Sequence, residues 1–125
     1  MKRLMLVLAL AAMGAASLFA GSAAGTATVK STVTIASGEG TEFAGKVSSA
    51  KKQCRANRKV TLYMKPYDGS ADTAVGSDKT DASGTWTIEG SFVAGIYYAR
   101  VASAVARANG VPIHCNFDLS MSARY

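Results

Sequence analysis

A chain of 125 residues holds one domain around one hydrophobic core, and is too short for two. Its 14 Lys and Arg against 8 Asp and Glu give a formal net charge of +6, a mild basic excess. Two cysteines and a single histidine, His114, cannot by themselves complete a four-ligand structural zinc site.

Residues 1–24 have the three parts of a secretory signal peptide. Lys2 and Arg3 make a positive start, Leu4 to Leu10 and the alanines after them make an apolar run, and small residues follow in FAGSAAG, with cleavage expected after Ala23 or Ala24. As a retained membrane anchor the run is short and too rich in Ala and Gly, since a span needs about 20 apolar residues. No second apolar segment of that length occurs, so no transmembrane span is expected after cleavage. Losing Lys2 and Arg3 leaves 12 bases against 8 acids, a net charge of +4. Residues 25–125 are then the folded domain. Export to an oxidising compartment makes a Cys54–Cys115 disulfide the expected state of the two cysteines.

From Thr28 the chain alternates, with Val29, Ser31, Val33 and Ile35 on one side of a strand that ends at a turn over Gly38 to Gly40. EFAGKVSS puts Phe43, Gly45 and Val47 on one face. A loop, SSAKKQCRANR, leads to RKVTLYM, the cleanest strand, with Val60, Leu62 and Met64 inward and Thr61 and Tyr63 outward. KPYDGSADT is a loop, AVGSDKT a short strand, and TDASGTW a tight turn. There Asp81 is expected to accept from amides two and three residues on, while Gly84 supplies the positive φ that closes a β-hairpin. Trp86 and Ile88 face inward on the next strand, and Tyr97, Ala99 and Val101 on the one after. ASAVARANGV is predicted as a strand turning at Asn109 and Gly110. The last strand, PIHCNFDLSMS, places Ile113, Cys115, Phe117 and Leu119 on one face. The fold class is all-β, an antiparallel two-sheet sandwich of about seven strands with one disulfide; a closed barrel is the alternative.

The order FAGKVSSAKKQC, RKVTLY, GSDKTDASGTWTI, AGIYYARV and a late cysteine resembles the carboxypeptidase-regulatory-like and transthyretin-like (prealbumin-like) group of small secreted bacterial β-sandwiches. The resemblance covers about Glu42 to Leu119. It implies an immunoglobulin- or transthyretin-like sandwich with a scaffold role and no catalytic residues, because the shared positions are turn glycines and core side chains.

Candidate sites are few. The only histidine sits beside a cysteine expected in a disulfide, so no catalytic residues are expected and the chain is not read as an enzyme. Lys46, Lys51, Lys52, Arg55, Arg58 and Lys59 form a run without acids, a candidate anion-binding patch. Asp68, Asp72, Asp78 and Asp81 match no calcium loop and read as turn residues. The group this chain resembles is related in architecture to the B-type repeats of collagen adhesins, and that likeness implies that Lys46, Glu89 and Asn116 have the chain order of an isopeptide triad, though the last two are expected on wet faces. The structural set is Val60, Leu62, Asp81, Gly84, Trp86, Ile88, Tyr97 and Val101. No cofactor or metal is expected. Function reads as a secreted or surface-exposed, non-catalytic structural or interaction module, its partner a protein or cell-envelope polymer and not nucleic acid. The alternatives are a small-molecule or anionic-ligand binding protein, or a protease inhibitor presenting KPYDGSADT.

Overall fold

The computed structural model describes residues 27–125, apart from the side chains of residues 37–39. The leader expected in residues 1–24 lies outside the described residues. In chain order the strands are β1 (Ala27–Val29), β2 (Ser31–Glu39), β3 (Glu42–Ser49), β4 (Lys59–Lys65), β5 (Thr73–Lys79), β6 (Thr85–Glu89), β7 (Ile96–Val101), β8 (Ala104–Ala108), β9 (Val111–Cys115), β10 (Asp118–Leu119) and β11 (Ala123–Arg124), with one 3-10 turn over Lys52–Cys54.

Two antiparallel sheets form the sandwich. One is ordered β2-β3-β6; the other is β10-β7-β4-β5, with β11 also on the free side of β7. Alternation along each strand fills the space between them: Val33, Phe43, Val47, Trp86 and Ile88 from the first sheet meet Val60, Leu62, Tyr97, Ala99 and Val101 from the second. Trp86 is 1% exposed and lies over Gly45 of the neighbouring strand. A methyl group at Gly45 would stand 2.6 Å from the indole, so glycine makes the room for that ring. At one end of this core Phe43 gathers Tyr97 (ring centroids 4.8 Å apart), Phe92 (4.9 Å) and Tyr125 (5.5 Å). The Tyr97 hydroxyl donates to the Val93 carbonyl at 2.6 Å, which satisfies its polar tip.

A third, smaller sheet, β1-β9-β8, is added at the other end, and in it β1 runs parallel to β9. Its buried cluster is Cys54, Ile113 and Cys115, with Val29, Ala106 and Ala108 against them. The Cys54–Cys115 disulfide is formed, with the Cα atoms 5.5 Å apart and 61 positions apart in sequence. Closing a loop of that length contributes roughly 4 kcal/mol on the chain-entropy view. Asn109 (φ 53°) and Gly110 (φ 79°) make the expected two-residue turn between β8 and β9.

Three expectations are corrected. The Asp81–Gly84 turn is tight, but it does not close a hairpin: β5 pairs with β4 and β6 with β3, so the chain crosses there from one sheet to the other. Period-two alternation sets which face is buried and is silent on which strand is the neighbour. Asp81 Oδ1 accepts from the amides of Ser83 and Thr85, two and four residues on, while the Gly84 amide bonds to the Asp81 carbonyl. Phe117 and Leu119 do not continue the buried face of Cys115; both are about half exposed. The chain leaves the small sheet after Cys115 and joins the other side of the sandwich, where Asp118 pairs with Val101.

Trp86→Ala removes the largest fully buried side chain and should destabilise the fold by about 3–5 kcal/mol. Urea unfolding followed by far-ultraviolet circular dichroism measures this, and a loss under about 1 kcal/mol contradicts the packing described.

Candidate functional site

The run of six cations does not survive folding as one patch. Arg58 is 2% exposed. One of its terminal nitrogens donates to Ser31 Oγ (2.9 Å) and the Cys54 carbonyl (2.7 Å), the other to the carbonyls of Ala102 (2.7 Å) and Asn116 (2.8 Å). Burial pulls its pKa below the ordinary arginine value. It binds this chain's own backbone and has no face left for a ligand. Lys59 is exposed on β4 opposite Lys79, in the second sheet. Lys51 and Lys52 are exposed beside the 3-10 turn. Only Lys46 and Arg55 share a recess, with Ser48, Ser49 and Ser83.

The acids are likewise dispersed. Asp68 caps the amide of Ser70 at 2.9 Å, Asp81 holds the turn already described, Asp78 accepts from the amide of Thr87 at 2.9 Å, and Asp72 accepts from the Tyr98 hydroxyl at 2.5 Å. Among the described residues no group of three or more His, Cys, Asp or Glu side chains is placed to hold a metal ion. His114 is half-buried on β9 opposite Val105. Lys46 and Glu89 are exposed at different levels of the β3–β6 ladder, and the carbonyl of Asn116 lies at Arg58, so no isopeptide triad assembles.

What sequence reasoning missed is a groove at the open side of the sandwich. There β2 is the free edge of one sheet, and β10 and β11 line the edge of the other. A cleft of about 330 Å³ runs between them, over Val33 and Ile35 and beside Leu119, Met121 and Ala123. Leu119 opposes Arg100 and Ala123 opposes Tyr97, so Ser120, Met121 and Ser122 hold one residue more than β7 does between its partners, and the chain bulges. Ser120 pins the bulge by accepting the Ala99 amide on its hydroxyl (2.8 Å) and donating its own amide to the Ala99 carbonyl (2.8 Å). Met121 is thereby pushed out, 90% exposed. Across the cleft, Asp118 accepts the Val33 amide at 2.9 Å, filling one of the free edge positions of β2. The signal in the sequence was the SMS segment after an alternating run, which marks a break with no sign of where the chain goes next.

On the outer face of the second sheet Tyr63 and Tyr98 stack with centroids 5.4 Å apart, and Arg100 lies over the Phe117 ring at 5.4 Å. The hydrogen bond to Asp72 pushes the Tyr98 pKa up to about 12.

No family model matches the chain, and no curated protein matches it in sequence. Among solved structures it is similar to a tetra-tandem repeat in the extending region of a large adhesion protein, with 18% identity over 77% of this chain and 24% of that one and a TM-score of 0.43. It is similar also to a 9R-lipoxygenase from Cyanothece PCC8801, with 13% identity over 78% of this chain and 14% of that one and a TM-score of 0.37. The chain thus spans about a quarter or less of either protein. Likenesses this loose carry no functional argument. No helix among the described residues is long and apolar enough to cross a membrane.

Two outcomes follow from these contacts. Arg58→Ala leaves three buried or half-buried carbonyls without their donor and should destabilise the fold by at least about 3 kcal/mol in urea unfolding. Arg58→Lys should recover little, because one ammonium cannot span acceptors on four segments. The Tyr98 phenol should ionise near pH 12 in an absorbance titration at high pH, and Asp72→Asn should bring it down. Since the folded pKa is the raised one, any stability from this bond is complete below pH 10 and lost as pH rises from there towards 12.

Proposed function

We propose that the chain is an exported, non-catalytic interaction module of the transthyretin-like kind, a disulfide-stapled sandwich that presents its open side to a protein or cell-envelope partner. The observation that carries this is the groove between β2 and β10–β11, where Leu119 and Met121 stand in solvent beside Val33 and Ile35. Isolated exposed apolar side chains are ordinary; apolar side chains held together by a pinned bulge over an apolar floor suit a contact surface. Export is supported by the leader pattern and by the disulfide, which persists in oxidising compartments. The non-catalytic reading is supported by the uses already found for the polar groups: the cysteines are crosslinked, Arg58 binds backbone, and all five aspartates accept hydrogen bonds from this chain.

The groove also separates this reading from ligand binding between the sheets, where Trp86, Phe43, Tyr97 and Leu62 fill the space. The test compares the mature chain with a Leu119→Asp, Met121→Asp variant as baits against secreted and envelope fractions. Both residues are solvent-exposed, so thermal melting should shift by no more than a few degrees. Partners retained by the parent chain and lost by the variant support the proposal. Identical capture by both removes the groove from it.

A further inference from the structure

We infer that the recess between β3 and the Asp81–Gly84 turn is a binding site for a phosphate group. It is independent of the groove, on another face of the first sheet. The recess measures about 230 Å³ and is lined by Lys46, Val47, Ser48, Ser49, Arg55 and Ser83. Lys46 and Ser48 are both on the exposed face of β3, two residues apart, so their side chains point the same way.

Arg55 is the organising side chain. Its amide donates to the Lys52 carbonyl at 3.1 Å, its carbonyl accepts from Thr80 Oγ1 at 2.6 Å, and its Nε donates to the Ser49 carbonyl at 2.9 Å. Backbone and guanidinium are therefore both tethered, and the planar fork is aimed before any ligand arrives. Its two terminal nitrogens make no hydrogen bond among the described residues, and neither does the ammonium of Lys46. A pre-positioned guanidinium fork with unused N–H donors, a second cation and the Ser48 hydroxyl make a donor set that suits a tetrahedral oxyanion, while the hydroxyls of Ser49 and Ser83 already donate to the Lys30 carbonyl and to Asp81. A carboxylate, flat and with two oxygens, uses the fork alone. Asp81, two residues before Ser83 in the turn, spends Oδ1 on the amides of Ser83 and Thr85 and on the Ser83 hydroxyl. Lys51 and Lys52 are exposed on the segment leading to Arg55 and add to the positive field of this part of the chain. The recess is open to solvent, so a phosphate carried on a larger molecule fits as well as a free ion.

The shared chemistry has two sources, free phosphate and a lipid headgroup, and two arms of one experiment separate them. In the first, inorganic phosphate is titrated at constant ionic strength into the folded mature chain, followed by amide NMR. Saturable shifts at Ser48, Ser49, Arg55, Ser83 and Gly84 are expected, and Lys46→Gln and Arg55→Gln should each weaken binding by about ten-fold. The Lys51→Gln, Lys52→Gln pair should change it by no more than about two-fold. Lys46 is exposed on its strand, so that variant remains informative if Arg55→Gln disturbs the fold. In the second arm, vesicles containing phosphatidylglycerol are compared with phosphatidylcholine vesicles. Retention on the former that is lost in Lys46→Gln assigns the headgroup; phosphate binding without such retention assigns the soluble ion. Shifts that are absent at millimolar phosphate, or scattered over the surface, overturn the site. So does equal weakening by the Lys51, Lys52 pair, which marks a diffuse charge effect. The groove variant leaves these side chains intact, so the two proposals fail separately.

Discussion

The structure depends on a buried guanidinium whose partners among the described residues include no carboxylate. Arg58 stands where four pieces of chain converge: the start of β2 at Ser31, the 3-10 turn at Cys54, the β7–β8 link at Ala102 and the β9–β10 link at Asn116. A charge moved from water to such a place costs several kcal/mol unless dipoles replace its hydration. Three carbonyls and a hydroxyl do so here, and only Nε is left without a partner. The carbonyls gain as well, since these links lie between strands and have no ladder to satisfy them. Thr80 extends the network, taking the Arg58 amide on its hydroxyl oxygen and donating that hydroxyl to the Arg55 carbonyl.

The disulfide and Arg58 meet at one residue. Cys54 is joined through sulfur to Cys115 and through its carbonyl to Arg58. This convergence is what makes the small sheet tenable. Its buried cluster contains Ile113 and the two half-cystines, against ten buried residues in the main core, and alanines make up much of the rest. Apolar burial on that scale does not hold three short strands in place. The sheet is attached to the sandwich more by a covalent bond and a charged hub than by its own packing.

These features differ in how far the sequence revealed them. Inward faces were legible because alternation is a local property: Val60 and Leu62, Trp86 and Ile88, Tyr97 and Val101 are all buried. The disulfide was legible from composition and the leader pattern. Strand partnership was not, and the Asp81–Gly84 turn is the instructive failure. Its chemistry is that of a hairpin, yet Gly76 of β5 and Ile88 of β6 face each other across the sandwich and do not share a ladder. Arg58 was misplaced for a related reason. A run of cations in sequence looks like a surface, and which member has carbonyls from distant segments around it depends on contacts 44 and 58 positions away. Arg55 and Lys46 were named together on charge alone. The tether from Arg55 Nε to the Ser49 carbonyl, six positions back, depends on the path of the loop between them, which charge alone does not show.

The contact between Asp118 and the Val33 amide bears on how copies of this molecule behave when crowded. Unpaired strand margins are templates on which identical chains add in register, the first step toward fibres. Here an anionic side chain from the same chain already occupies one of the donors that an incoming strand needs, and a pinned bulge disrupts the facing margin. Backbone zippering is obstructed on both sides of the cleft while its apolar floor stays open, so whatever settles there does so through side chains.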